Sequence, residues 1–337
     1  GYTEHEQASA AGYAAIFAHR QQLEAVTGAS RLDVKEATVS SSLRFADTFP
    51  AHEQAAIVLG AAADDLYEMD DFAEAIAAAQ KLIERYPDSD APLRRAAWAV
   101  IAHSSIDMAE YPDAEFAYMN VLELTDEDDE SRDAVIDGLA AAIYKQGEQA
   151  NLMQDFAAAA DHFLRIRDLA PTSDIRSVAE YDAAAALMKL ENWSKAAGVL
   201  EQFRADNPEH ELQGDATKQL AFIYREDGQT ARAAAEHERI SAEASDPEFS
   251  RAALLTAAEL YDEVDAIDDA IRVYELYVYE YPQPLDIAME SRSRLAELWL
   301  SEQNYDKYYQ QLNEIVTADR AAGEDRTDRS RYLAAKA

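Results

Sequence analysis

The feature that most constrains this chain is a regular recurrence of proline. Pro50, Pro87, Pro171, Pro208, Pro247 and Pro282 are separated mostly by 35 to 39 residues, and the interval from Pro87 to Pro171 is about two such periods. A fixed period in this range means that one supersecondary unit repeats and that each copy buries its apolar face on the next. Composition says what kind of unit it is. Hydrophobic residues make up 48% of the 337, with only 10 Gly and 9 Pro, which is too apolar and too poor in breakers for a disordered chain. Ala is the commonest residue, and it is both the best helix former and small enough for close helix contact. β-branched residues rarely alternate with polar ones, so strands find no pattern to form on. The chain is predicted to be all-α.

A shorter signature lies upstream of each proline: a leading residue, an aromatic or apolar residue, two more, then Ala. It reads Asp71-Phe72-Ala73-Glu74-Ala75, Asp155-Phe156-Ala157-Ala158-Ala159, Asn192-Trp193-Ser194-Lys195-Ala196 and Ala266-Ile267-Asp268-Asp269-Ala270. Tyr111-Pro112-Asp113-Ala114 repeats it, and Tyr305-Asp306-Lys307-Tyr308 is a variant without the small residue. The spacing predicts a polar cap opening a second helix, an aromatic plugging the hairpin corner, and an Ala on the same face where two helices cross. The proline then ends that helix after about four turns, because it cannot continue the hydrogen-bond ladder.

These segments resemble tetratricopeptide repeats. Leu59, Ala62, Ala63, Leu66, Phe72, Ala75, Ala79, Leu82 and Pro87 stand on that family's spacing, as do Ala183, Ala184, Leu187, Trp193, Ala196, Leu200, Phe203 and Pro208. Ala257, Ala258, Tyr261, Ile267, Ala270, Tyr274, Tyr277 and Pro282 do so again. Two further units match less fully: one reads Asp126 where proline is expected, and in another Pro247 arrives two residues late. The resemblance implies a right-handed superhelical solenoid of about eight helical hairpins. The sequence divides into a degenerate N-terminal hairpin at 1–50, with helices expected to about Thr27 and from Asp33 to Thr48, an array at 51–318, and a polar break at 319–337 leading into a further helix that reads as a truncated repeat. In the fourth hairpin an insertion at Gln149–Gln154 should lengthen the first helix by more than one turn.

Motifs for chemistry are missing. There is no cysteine, which removes disulfides, thiol nucleophiles and thiolate metal sites. The seven His are scattered: His5, His52, His210 and His237 precede Glu, but none has a second His four residues on, so the zinc-protease pattern is absent. His210 and His237, flanked by Glu, are expected at the surface with raised pKa values. No nucleophile elbow, P-loop or dinucleotide fingerprint occurs. The acidic run Asp126–Glu130 lacks the alternation and central Gly of a calcium loop and reads as a helix start favoured by the dipole. The expectation is a protein that is not an enzyme, with no catalytic residues, no metal and no cofactor. The 66 acidic and 30 basic residues give a formal charge of −36, which argues against nucleic acid as partner. No apolar run reaches the length of a membrane span.

In a stacked array the first helix of each hairpin lines the concave face. The register places Asp64, Tyr67, His103, Asp107, Tyr181, Lys189, Lys218, Phe222, Arg225, Glu259 and Asp262 on it, with Lys218, Phe222 and Arg225 as a cationic–aromatic island among acids. Such a face predicts a non-catalytic scaffold that holds a peptide or protein partner. In tetratricopeptide proteins that grip a C-terminal carboxylate, Lys and Asn recur on these helices. Here Gly60, Ala99, Tyr181 and Leu255 stand instead and only Lys218 matches, which argues against that mode. The rival readings are a glycan-acting enzyme on an α/α-toroid and a peptide-sensing module of a larger regulator. Tyr86-Pro87-Asp88-Ser89 and the 37-residue period resemble periplasmic tetratricopeptide proteins, such as outer-membrane assembly lipoproteins and the accessory factor of the Tol–Pal system. That resemblance implies a periplasmic or outer-membrane-associated place, with the cytoplasm as the alternative; the sequence carries no signal of oligomeric state. Of the tyrosines, Tyr274, Tyr277 and Tyr281 fall on one core-facing stripe, and Tyr279 and Tyr309 fall off it.

Overall fold

The computed structural model describes residues 7–337, and among them the chain is helical throughout, with no strand. It forms two compact units, one ending at Ala186 and the other running from Leu187 to Ala337. The first contains α1 (Ala8–Ala25), α2 (Ala29–Thr48), α3 (Ala55–Tyr67), α4 (Phe72–Arg85), α5 (Ala91–Asp107), α6 (Tyr111–Glu123), α7 (Arg132–Leu152), α8 (Phe156–Leu169) and most of α9 (Ile175–Lys189). The second contains α10 (Trp193–Asp206), α11 (Gln213–Glu226), α12 (Thr230–Glu243), α13 (Pro247–Glu263), α14 (Ile267–Glu280), α15 (Leu285–Ser301), α16 (Tyr305–Ala321) and α17 (Asp328–Lys336). Helices pack on their successors in chain order from α1 to α8 and from α10 to α17, and α3 also touches α5. This is the consecutive packing of helical-hairpin arrays within each unit, with α17 following the last hairpin.

Each hairpin from α3–α4 onward turns by one device. The residue before the leading residue of the second helix takes a left-handed backbone: Asp70, Ala109, Gln154, Glu191, Gly228, Asp265 and Gln303 have φ between 55° and 72°. The following amide then reaches back to a carbonyl five residues earlier, as in Asp71 N to Leu66 O at 3.0 Å, Glu110 N to Ser105 O at 2.8 Å and Gln229 N to Tyr224 O at 2.7 Å. That bond satisfies an otherwise orphaned carbonyl at the helix end and reverses the chain in two residues. Side-chain capping is secondary, contrary to the sequence reading. Asp155 and Asn304 accept from the Ala158 and Lys307 amides at 3.1 and 3.2 Å, but Asp71 and Asn192 make no such bond.

The return turns use proline. Phe49, Tyr86, Ala170, Asn207 and Tyr281 cap α2, α4, α8, α10 and α14 with φ from −122° to −138° and ψ from 55° to 74°. Each precedes a proline, whose ring excludes the helical region for the residue before it. Pro247 is the exception: it opens α13 behind the N-cap Asp246 and does not end α12. Three other expectations change. The second helix starts at Ala29, not Asp33. Asp126–Glu130 is the turn before α7; there Asp129 accepts from the Ser131 amide and pairs with Arg95. Tyr305, at the corner of the last hairpin, is exposed, whereas Tyr274 and Tyr277 are buried and Tyr279 and Tyr309 lie open to solvent.

Where helices cross, the small residues do the work expected of them. Ala75, Ala114, Ala159, Ala196, Ala233 and Ala270 are all fully buried (0% exposed). With only a methyl there, the backbones approach closely, and a longer side chain would overpack the crossing. The insertion appears as α7, at 21 residues longer than α3, α5, α9, α11, α13 or α15, which have 13 to 17. In the second unit a bidentate pair ties α10 to α12: Arg204 donates to both Glu236 oxygens, at 2.5 and 2.9 Å, with little of either side chain exposed.

Two substitutions test these devices. Ala109→Gly relieves the left-handed strain at an exposed site and is expected to stabilise the fold by up to about 1 kcal/mol in urea unfolding. Glu236→Ala leaves the Arg204 guanidinium without its counter-charge and is expected to cost about 3 kcal/mol, seen as loss of helix at lower urea.

Candidate functional site

In the first unit, Asp64 and Tyr67 stand at the end of α3, and His103 and Asp107 at the end of the adjacent α5. Packing brings them together. The rings of Tyr67 and His103 lie 5.9 Å apart, His103 meets the edge of Tyr118 from α6 at 5.8 Å, and Tyr67 rests against Phe72 at 5.7 Å. The Tyr67 hydroxyl lies near the Asp107 carboxylate. Burial, aided by Asp107, raises the Tyr67 pKa, and burial pushes that of Tyr118 up to about 12, so both remain neutral donors. Burial also raises Asp64, and the adjacent Asp65 and Glu68 charges add to it. Asp65 itself is held under this wall by Arg20 at 2.9 Å, and Glu68 by Lys35, so α1 and α2 brace α3 with cations.

Beside the cluster lies a pocket of about 340 Å³ between α5, α6 and the start of α7. His103, Tyr118 and Arg95 supply its polar edges, and Ala99, Val121 and Val135 its apolar floor. Tyr118 can stand there because Gly138 of α7 has no side chain: a Cβ at that position would come within 2.5 Å of the tyrosine ring. Arg95, Tyr118 and Gly138 escaped the sequence reading. Their signal was present, since a glycine inside a helix is costly and marks a close approach. Tyr181, on α9, is half-buried and apart from this cluster in sequence; its neighbour Asp182 accepts from the Tyr144 hydroxyl at 2.6 Å.

The remaining expected residues belong to the second unit, where the wall is built differently. Lys189 is exposed at the end of α9. Lys218 bonds Asp215 of its own helix at 2.9 Å, and Arg225 reaches Glu263 of α13 at 2.8 Å. Asp262 is clasped by Arg294 of α15 at 2.5 and 2.7 Å, and burial, with Asp262 beside it, raises the pKa of Glu259. Phe222 is exposed and meets the edge of Trp193 at 5.9 Å. Both cations of the expected island are therefore ion-paired.

His237 is corrected: burial lowers its pKa, so the flanking glutamates do not set it. His52 and His210 share a structural task, each taking a backbone amide on Nδ1 two residues after a proline, at 3.1 and 3.2 Å. His5 lies outside the described residues. Among the described residues no group of three or more His, Asp or Glu could hold a metal ion, and no helix is long and apolar enough to cross a membrane.

Residues 62–89, from the middle of α3 through α4 to the turn after Pro87, match the family described as tetratricopeptide repeat. No curated protein sequence matches the chain. Among solved structures it is similar to Naa15/Naa10 bound to HypK-THB, at 17% identity over 97% of this chain and 43% of that one, with a TM-score of 0.39. This chain thus spans less than half of that relative. A tetratricopeptide repeat protein from Parabacteroides merdae is 13% identical over 87% of this chain and 99% of its own, with a TM-score of 0.32. YrrB, a TPR protein with an unusual peptide-binding site, is 14% identical over 60% and 94%, with a TM-score of 0.33.

The titration of His103 offers a direct test of the cluster. Crowding by surrounding atoms lowers its pKa, with Asp107 opposing, so the folded ring binds a proton less readily than the unfolded chain, whose value is about 6.5. Its contribution to stability is present at neutral pH and is lost as the pH falls through that unfolded value. An NMR titration of the ring is expected to give a midpoint below 6.5. A midpoint above it would mean that the Asp107 charge outweighs the crowding.

Proposed function

We propose that the chain is a non-catalytic scaffold of tetratricopeptide-type hairpins, and that the α3–α5–α7 face of its first unit binds a peptide or protein partner. The observation that carries this reading is the pocket beside Tyr67, His103 and Tyr118. An apolar side chain of the partner enters between Val121 and Val135, and Asp64 and Asp107 take hydrogen-bond donors or a cation from the flanking chain. Neutral tyrosines and an imidazole held in place by packing suit recognition, because little side-chain freedom is lost when they are covered. The tetratricopeptide match at residues 62–89 supports it, since that segment includes Asp64 and Tyr67. The second unit presents an ion-paired wall of its own, with Phe222, Lys218 and Arg225.

The bacterial envelope is the place we propose for this scaffold, on the strength of the Tyr86-Pro87-Asp88-Ser89 ending and the 37-residue period. The test is capture from an extract of the source cells with the chain as bait, followed by mass spectrometry. The Tyr67→Ala/His103→Ala double variant is expected to lower recovery of the specific partner about tenfold, as loss of aromatic anchors does. The Lys218→Glu/Arg225→Glu variant gauges how far the second unit's wall takes part. Recovery unchanged in both variants would overturn the reading.

A further inference from the structure

The first unit has a second groove, on the side of α5 away from the proposed site. It is about 640 Å³ in volume and runs between α4 and α6, with α5 as its floor. Ile76 and Ile83 come from α4, Trp98, Ile101 and Met108 from α5, and Phe116 from α6. Phe116 is 60% exposed and Met108 41%, although an edge-to-face contact at 5.6 Å holds the phenyl ring against Trp98. Bulky apolar side chains left open in one trough mark a binding surface, and Met and aromatic residues adapt to varied partners.

The rim has one sign of charge. Glu84, Glu110 and Asp113 line the groove, all three are exposed, and none is ion-paired. Elsewhere in this unit carboxylates find cations: Asp47 takes Lys81 and Arg85, Asp129 takes Arg95, and Glu115 takes Arg165. These cations are thus engaged by other carboxylates, and among the described residues no ion pair neutralises the rim.

We infer that this groove receives an amphipathic helix of a partner protein, with bulky apolar residues on one face flanked by Lys or Arg. The backbone argument selects a helix. The walls are helices whose amides and carbonyls are already bonded internally, so they offer no edge to an extended strand, while a helix satisfies its own backbone. The length also fits, because the groove is lined along α4 from Ala73 to Glu84, about 16 Å of helical rise, which accommodates roughly three turns of helix. The charge selects the flanks, since Glu84, Glu110 and Asp113 attract cations and repel an acidic partner. A second copy of this chain, at −36, is a poor occupant on the same ground.

The test uses the full chain and two synthetic peptides of about 18 residues made only of Leu and Lys. One is patterned to be amphipathic as a helix, and the other has the same composition with the pattern scrambled. Because any cationic peptide is drawn to so acidic a protein, the comparison between the two is the readout, by calorimetry at physiological salt. The patterned peptide is expected to bind about tenfold more tightly than the scrambled one, and Phe116→Lys and Glu84→Lys are each expected to remove most of that advantage. Both positions are exposed, and circular dichroism confirms that the variants fold. Equal binding of the two peptides, or an advantage unchanged in both variants, would overturn the proposal. So would a wild-type dimer that Phe116→Lys dissociates in sedimentation, since the occupant would then be a second copy. The Tyr67→Ala/His103→Ala variant is expected to bind the patterned peptide as the wild type does, which separates this groove from the pocket on the other side.

Discussion

One left-handed residue at the end of each first helix sets the geometry that the rest of the chain elaborates. With φ near 60° at Asp70, Ala109, Gln154 and their counterparts, the next amide returns to a carbonyl five residues back, and the chain reverses at once. The reversal brings the second helix so close to the first that only a methyl fits at the crossing, which is why Ala75, Ala114, Ala196 and Ala270 are fully buried. Six of these seven residues are not glycine, so each turn is held against its own torsional preference by the packing it creates. Turn and crossing are parts of one interaction.

Within that frame the two units arrange their walls differently. The first gathers aromatic and imidazole groups beside an open pocket, with Arg20 and Lys35 of its first two helices holding Asp65 and Glu68 of α3. The second links successive helices by charge, Arg225 to Glu263 and Arg294 to Asp262. Exposed pairs of this kind contribute at most about 1 kcal/mol each. Their larger effect is to occupy groups that would otherwise be offered to a partner.

The sequence made the hairpins legible because proline and alanine impose hard steric rules. A residue before proline leaves the helical region, and a crossing position rejects a large side chain, so both features recur at readable intervals. The left-handed turns were hidden, since Ala109 and Glu191 are residue types with no preference for that backbone. Pro247 was misread because proline is equally at home in the first turn of a helix and just past its end. The register set Tyr67, His103 and Asp107 on the first helices of two successive hairpins, whose packing brings the rings of Tyr67 and His103 together, but Tyr118 joins them from a second helix. Only the missing side chain of Gly138, one helix further on, makes room for it. A pocket formed across three helices is invisible to a reading that follows one helix at a time.

The placement of the cations has an electrostatic consequence. Many of the basic side chains are committed to bonds inside the fold, so the excess of 66 carboxylates over 30 cations is carried outward as fixed anionic charge. Such a surface gathers an atmosphere of small cations from solution, and a basic partner that docks on it sets some of them free. The entropy of that release would then drive part of the association, and binding would weaken as ionic strength rises. A protein built this way responds to the salt around it as directly as to the concentration of what it holds.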